Sequence, residues 1–373
     1  MGGMAVKTPA ELLAERKERI RKAVALEKPD RTPVVTLADG FCATHMGVKL
    51  SEFCSSLKTS NKVMVESIKE LGDIDGFDSA FAAALLFPLG FMTNIKLPGR
   101  ELADNVIWQL DEKEVMTVED YDTILQKGWV PFMQEYVTRR LHVQFDSLMA
   151  ELADTPQMVK NFEDAGYVVY SPLVINLVNE LLSGGRSMPK FIQDLYRRAD
   201  KVEAVLDVIQ AEVLANMRKQ IRATNSAYVF ISPARGASEF FSRKLWERFV
   251  WKYLKQVADV IIEEGAVINF HIDSNWTRDL EYFRDFPKGK CVFETDGATD
   301  IYKIKEILGD RMCIKGDVPA AMFTLGTPDD VYNYCTRLIR DMGPGFILAS
   351  GCAVPVNAKV ENVKAMIAAA AGK

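Results

Sequence analysis

The sequence predicts an α/β fold, a (β/α)8 TIM barrel, and three observations predict it. Short apolar strand patterns alternate with amphipathic helix patterns through the second half of the chain. The spacing between those strands is too long for hairpins and fits parallel crossovers. Over the full 373 residues the strand patterns come to about eight. An open doubly wound sheet shares the first two features, and the count favours the closed barrel.

The elements follow in order. The opening, MGGMAVKTPAELLAERKERIRKA, is polar with a helical pattern, predicting an N-terminal helical extension over residues 1–30. It has no apolar core of a secretory signal, and Ala5 and Val6 stand where an acylation signal wants Ser or Thr. RTPVVTLADGF (31–41) reads as the first strand and IDGFDSAFAA (74–83) as the second. Residues 84–117 hold several β-like pieces between Pro- and Gly-containing turns, which predicts an inserted β-hairpin region within a single domain spanning 1–373. Residues 118–141 are helical, with a break expected near Pro131. AGYVVYSP (165–172) is a strand, and 187–221 a long helix or helix pair.

Then the alternation becomes regular. AYVFISPARG (227–236) is a strand, and 242–266 a helix with Ser242 as its cap. VINFHID is the next strand, WTRDLEYFRDF the next helix, CVFETDG (291–297) a strand and 299–310 a helix. MCIKGDVP (312–319) is a strand, 327–344 a helix opened by Thr327 and Pro328 and closed by Gly343, and GFILASGCAVP (345–355) the last strand. NAKVENVKAMIAAAAG forms the final helix. The strands are nearly continuous in apolar residues, as when both faces of a parallel sheet are covered.

Composition excludes several classes. The 46 Lys and Arg against 51 Asp and Glu give a net charge of −5, and no basic block stands out, so nucleic acid is not an expected partner. No window reaches the roughly 18 uninterrupted apolar residues of a membrane span. Cys42, Cys54, Cys291, Cys313, Cys335 and Cys352 form no CxxC pair, so reduced thiols and a cytoplasmic location are expected.

A barrel gathers the C-terminal tips of its strands around one site. Those tips carry Asp39, Ser171, Ser232, Arg235, His271, Asp273, Glu294, Asp296, Asp317 and Cys352. An imidazole, carboxylates and a thiol on nearby staves are the N, O and S donors that zinc prefers at ~2.0–2.3 Å. A histidine satisfied in the core and a packed free thiol would read the same in isolation. Cys291 and Cys313 lie at strand starts and Asp285 near a helix end, so all three are expected at the opposite end of the barrel.

At KPDRTPVVTLADGF, HIDSNW, FETDG, IKGDVP and ILASGCAVP the sequence resembles the uroporphyrinogen decarboxylase superfamily. Its decarboxylases carry an arginine-rich segment after the first strand, where this chain has TLADGF. The resemblance therefore implies the corrinoid-dependent methyltransferase branch, related to methylcobalamin:coenzyme M methyltransferase. There the pattern is His-x-Cys, a later glutamate and a Gly-Cys cysteine. It implies His271, Glu294 and Cys352 as ligands of Zn2+, with Asp273 where the pattern has cysteine. The segment LPGRELADNVIWQLDEKEVMTVEDYD looks like methyltransferase I of anaerobic O-demethylases. What that implies is cleavage of a small methoxyaromatic substrate, with the methyl passed to cobalamin carried by a partner corrinoid protein. Asp273 is then expected to orient His271 or handle the phenolic proton, a catalytic role, or else to join the ligands. Asp39, Phe41, Phe91, Tyr170 and Ser232 are the expected substrate-binding residues. A methyltransferase acting on a thiol or methylamine, and a decarboxylase-like lyase, stay open.

Overall fold

The computed structural model describes residues 7–372, and the MGGMAV opening lies outside them. The strands are β1 Val35–Thr36, β2 Gly76–Phe77, β3 Ile95–Lys96, β4 Gln109–Leu110, β5 Val168–Val169, β6 Leu173–Ile175, β7 Tyr228–Ile231, β8 Val267–Ile272, β9 Cys291–Thr295, β10 Cys313–Val318 and β11 Phe346–Ser350. All but β3 and β4 pair in parallel, as β1-β2-β5 and as β6 through β11. β5 and β6 are halves of one stave, interrupted at Ser171–Pro172, where proline has no N–H to give. A parallel bridge between Val34 and Leu348 joins β11 back to β1, and Leu348 N–H donates to the Pro33 carbonyl at 2.9 Å. The result is a ring of eight parallel staves, the TIM barrel.

Strand periodicity sorts the side chains. In β8, Phe270 points outward and packs edge-on against Phe283 at 5.2 Å. Asn269 and His271 therefore face the axis. Register aligns His271 with Glu294 and Glu294 with Lys315 on three successive staves. Below that polar layer, Val35, Val168, Tyr170, Val292, Cys313 and Ile347 make an apolar floor. The N-terminal helix Pro9–Val24 closes the floor with Ile20, Ala23 and Val24. A capping box between Thr8 and Glu11 starts it, and Arg19 ties it to the buried Asp75 beside β2.

β3 and β4 pair antiparallel inside the expected insertion. The insertion's helix Phe87–Phe91 docks on the helix Val178–Arg186 that follows β6. The contact needs a glycine, because a Cβ at Gly184 would sit 1.8 Å from the Phe91 carbonyl oxygen.

Some local expectations are corrected. The helical stretch 118–141 breaks at Gly128 (φ +83°), not at Pro131. Pro131 is the third residue of helix Trp129–Arg139, where the missing N–H has no intrahelical partner to lose. Residues 187–221 are two helices, Met188–Arg197 and Ala199–Thr224. WTRDLEYFRDF forms a 3₁₀ segment, Thr277–Asp285, and a short helix, Ala320–Leu325, was not expected. Among the described residues no helix is long and apolar enough to cross a membrane.

Gly184→Ala is expected to cost about 2–3 kcal/mol, because backbone must move to admit the methyl group. Gly185→Ala should cost less, since its nearest neighbour is the flexible end of Met116 at 3.0 Å. Thermal unfolding of both variants checks this, and equal melting temperatures would contradict the docking argument.

Candidate metal centre

The site grows from the tips of β8 and β11. His271 is buried at the end of β8, and its Nε2 lies 3.5 Å from Asp273 Oδ1 and 3.7 Å from Cys352 Sγ. One donor atom from each of the three lies within 4.8 Å of the others, the one such group of three or more among the described residues. Asp273 is steadied by Trp276, whose Nε1–H donates to its carbonyl at 2.9 Å. Cys352 is brought in by a tight crossing. Gly351 N–H donates to the Val318 carbonyl at 2.9 Å, and a Cβ there would lie 2.7 Å from the Asp296 carbonyl oxygen. The Gly-Cys pair thus has a steric cause. Cys352 is exposed and the other five cysteines are buried.

Glu294 is not in that group. Its Oε1 sits 3.2 Å from the other imidazole nitrogen, Nδ1, off the line of a well-formed hydrogen bond. Its oxygens are also held from behind, by Lys315 Nζ at 2.9 Å and Asn269 Nδ2 at 2.7 Å. Lys315, wholly buried, reaches Asp78 Oδ1 at 2.5 Å as well. Phe230 stacks on the imidazole, ring centroids 5.1 Å apart. Asp273 thus joins the donor atoms at Nε2, one of its two expected roles, while Glu294, expected as a ligand, sits behind the ring. The physical reason is register, which sets Glu294 beside His271 one stave over while Asp273 extends two residues past it toward the mouth.

Charge follows geometry. Burial alone would raise Glu294, but Lys315 and then His271 bring its pKa down to about 2. Burial pushes Asp78 up to about 6 against the pull of Lys315. Burial would lower His271, yet the Glu294 charge, then Asp273 and Cys352, hold it well above the usual imidazole value.

The other expected residues are dispersed. Asp39 is buried at the start of helix Asp39–His45, accepting from Gly40 N–H at 2.8 Å. Phe41 is enclosed in the core, its ring stacked on His45 at 5.5 Å, and offers the mouth no exposed surface. Tyr170 likewise belongs to the barrel floor, packed on Tyr228 at 4.6 Å. Phe91 is half-buried beneath the Arg235 guanidinium, 5.9 Å away. Ser232 is half-buried just past β7. Cys291 and Cys313 are buried away from the donor group, and Asp285 is exposed outside it. Sequence reading missed Lys315, Asp78 and Asn269. The available signal was a lysine inside an apolar strand pattern, which needs a carboxylate partner if buried.

The sequence profile described as "Uroporphyrinogen decarboxylase (URO-D)" matches residues 175–372, which contain the whole donor group. The chain belongs to the uroporphyrinogen decarboxylase family. A solved structure, "methyltransferase from Methanosarcina mazei", superposes with a TM-score of 0.72 over 96% of this chain and 98% of that one, at 17% identity. That likeness shows a shared fold. No curated protein sequence matches the chain.

The Asp39 carboxyl gives a pH test. Burial raises its pKa to about 6 from an ordinary value near 4, so the fold disfavours its charged form. The penalty is absent below pH ~4, grows as pH rises and is complete above pH ~6, at about 3 kcal/mol. Asp39→Asn keeps an oxygen for Gly40 N–H and removes the penalty. Its melting temperature should exceed wild type at pH 8 by more than at pH 5, and no gain at pH 8 would contradict the burial argument.

Proposed function

We propose that this chain is a zinc-dependent methyltransferase that cleaves phenyl methyl ethers and passes the methyl group to cob(I)alamin on a separate corrinoid protein. The observation that carries the reading is the meeting of an imidazole nitrogen, a carboxylate oxygen and a thiol sulfur within 4.8 Å at the tips of the barrel staves. Three protein donors with an approach left open is the usual form of a catalytic zinc site. The residues fit the ion in a second respect. Nδ1 faces the Glu294 carboxylate, which favours the tautomer with its proton there and its lone pair on Nε2, toward Asp273 and Cys352.

His271, Asp273 and Cys352 would hold the zinc. When bound, the ion supplies Lewis acidity, easing the negative charge that develops on the ether oxygen as its bond to methyl breaks. Glu294 keeps the ring oriented and its Nδ1 proton in place. Lys315 and Asn269 hold Glu294, and Phe230 covers one ring face. Phe91, the last residue of the insertion's helix and beside Arg235, would offer the substrate an aromatic wall.

The family's name favours a second reading, a decarboxylating lyase. A polycarboxylate substrate needs a cationic cradle. After β1 the chain runs Leu37-Ala38-Asp39-Gly40-Phe41, and Arg31 before it is engaged with Asp75 at 2.8 Å. Arg235 at the mouth is ion-paired with Glu112 at 2.5 Å. These charges leave the methyltransferase as the better reading.

The purified protein is expected to hold about one zinc per chain. Metal analysis should show its loss in His271→Ala and Cys352→Ala, and full retention in both would reject the site. Glu294→Gln should keep the metal with affinity weakened about 10–100-fold. Zinc should also slow alkylation of Cys352.

Supplied with reduced corrinoid protein and guaiacol, the protein should form methylcobalamin, followed by its visible spectrum. Demethylation without any corrinoid would reject the proposal.

A further inference from the structure

Asp78 is buried one residue past the end of β2, on a stave that neighbours neither β8 nor β11. Among the described residues its carboxylate has one hydrogen-bond partner. Lys315 Nζ donates to Oδ1 at 2.5 Å, while Oδ2 is buried without a partner. The same ammonium donates to Glu294 Oε1 at 2.9 Å, and that oxygen lies 3.2 Å from His271 Nδ1. Lys315 and Asn269 suffice to hold Glu294, so Asp78 is not needed for that task. A second buried carboxylate on one lysine, with an oxygen left unmatched, is a costly way to steady a fold. Its effect is on charge. Were Glu294 the sole partner of Lys315, the ammonium would draw on the very oxygen that faces Nδ1. Shared with Asp78, it draws less, and Glu294 stays the stronger acceptor for an Nδ1 proton. Burial lifts Asp78 only to about 6 against the pull of Lys315, so at pH 7.5 it is charged. Two carboxylates and one ammonium then leave one net negative charge, closed off from water and weakly screened.

We infer that Asp78 is a positioning residue for the metal centre: by sharing the buried ammonium of Lys315 it keeps Glu294 a strong acceptor for His271 Nδ1–H, and so sets the affinity for zinc from two links behind the imidazole. This rests on the zinc reading of the donor group and adds a control that lies outside the donors. The sign of the effect separates it from a structural role. Removing the Asp78 charge alone takes the net charge of the three groups from −1 to 0 and weakens zinc. Removing the Lys315 charge as well returns the net charge to −1, all of it on Glu294, and restores zinc. An Asp78 that merely held the fold would give losses that add when its partner is also removed.

Zinc affinity is measured on the metal-free full-length protein at pH 7.5, by competition with a chromogenic chelator. Asp78→Asn keeps an oxygen for Lys315 Nζ and loses the charge. It should weaken zinc about tenfold, the lower end of what groups behind a ligating histidine contribute. Asp78→Asn combined with Lys315→Met should return to within about threefold of wild type. Saturated with cobalt(II), wild type and Asp78→Asn should give the same visible spectrum, because the three donors are untouched. Unchanged zinc affinity in Asp78→Asn, a double variant as weak as the single one, or an altered cobalt spectrum overturns the inference. Should the double variant not fold, the affinity and cobalt spectrum of Asp78→Asn decide. Wild type that binds no zinc would reject the donor group as a zinc site, and the inference with it. Zinc bound by wild type and Asp78→Asn alike would reject the inference and leave the site.

Discussion

The structure turns on a line of buried charge that crosses the barrel from Asp78 through Lys315 and Glu294 to His271. Each link is nearly or wholly closed to water. Burying such groups costs several kcal/mol apiece, and apolar side chains of the same volume would often stabilise a core as well or better. The line therefore makes poor sense as a stabilising device and good sense as a positioning one. With both acids ionised against one lysine, an excess negative charge remains beside the imidazole. The Glu294 charge, with Asp273 and Cys352, raises the proton affinity of His271 against its burial. The same field favours any cation placed among Nε2, Asp273 and Cys352, so a proton and a metal ion compete for one electrostatic position.

Parallel register makes the line. His271, Glu294 and Lys315 are aligned neighbours on β8, β9 and β10, and a slip of one residue in any strand would turn its member outward into the helices. The apolar floor beneath, closed by the N-terminal helix, keeps water from reaching these charges from the other end. Loops complete the site from above by close backbone approaches. Gly351 lets the β11 loop cross Asp296, and Gly184 lets the insertion reach the helix after β6.

The barrel was legible because its signal is cumulative: eight separate apolar runs each found a stave, including the split one at Ser171–Pro172. The donor types were legible too, since strand tips converge in this architecture. The sides of the imidazole were not. Spacing along the chain does not say whether Glu294 meets Nδ1 or Nε2, because a one-stave neighbour can reach either. The places of Tyr170 and Phe41 are not legible for a related reason. An aromatic near a strand end serves the floor or the outer core as readily as the mouth, and only the position in the pleat decides. Pro131 looked like a breaker because its letter is strong, yet Gly128 three residues earlier had already ended the preceding helix.

The placing of the two carboxylates bears on the chemistry under the proposed reading. A histidine, an aspartate and a single thiolate give a harder donor set than one with two thiolates, and leave an ion more able to draw charge from oxygen. Holding Glu294 behind the ring adds basicity to the imidazole without spending a coordination position. An enzyme that must activate a thiol gains little from that arrangement, since the incoming sulfur brings its own soft charge. One that must ease the departure of a phenolate gains directly, because the difficulty of the reaction lies in the charge left on the oxygen.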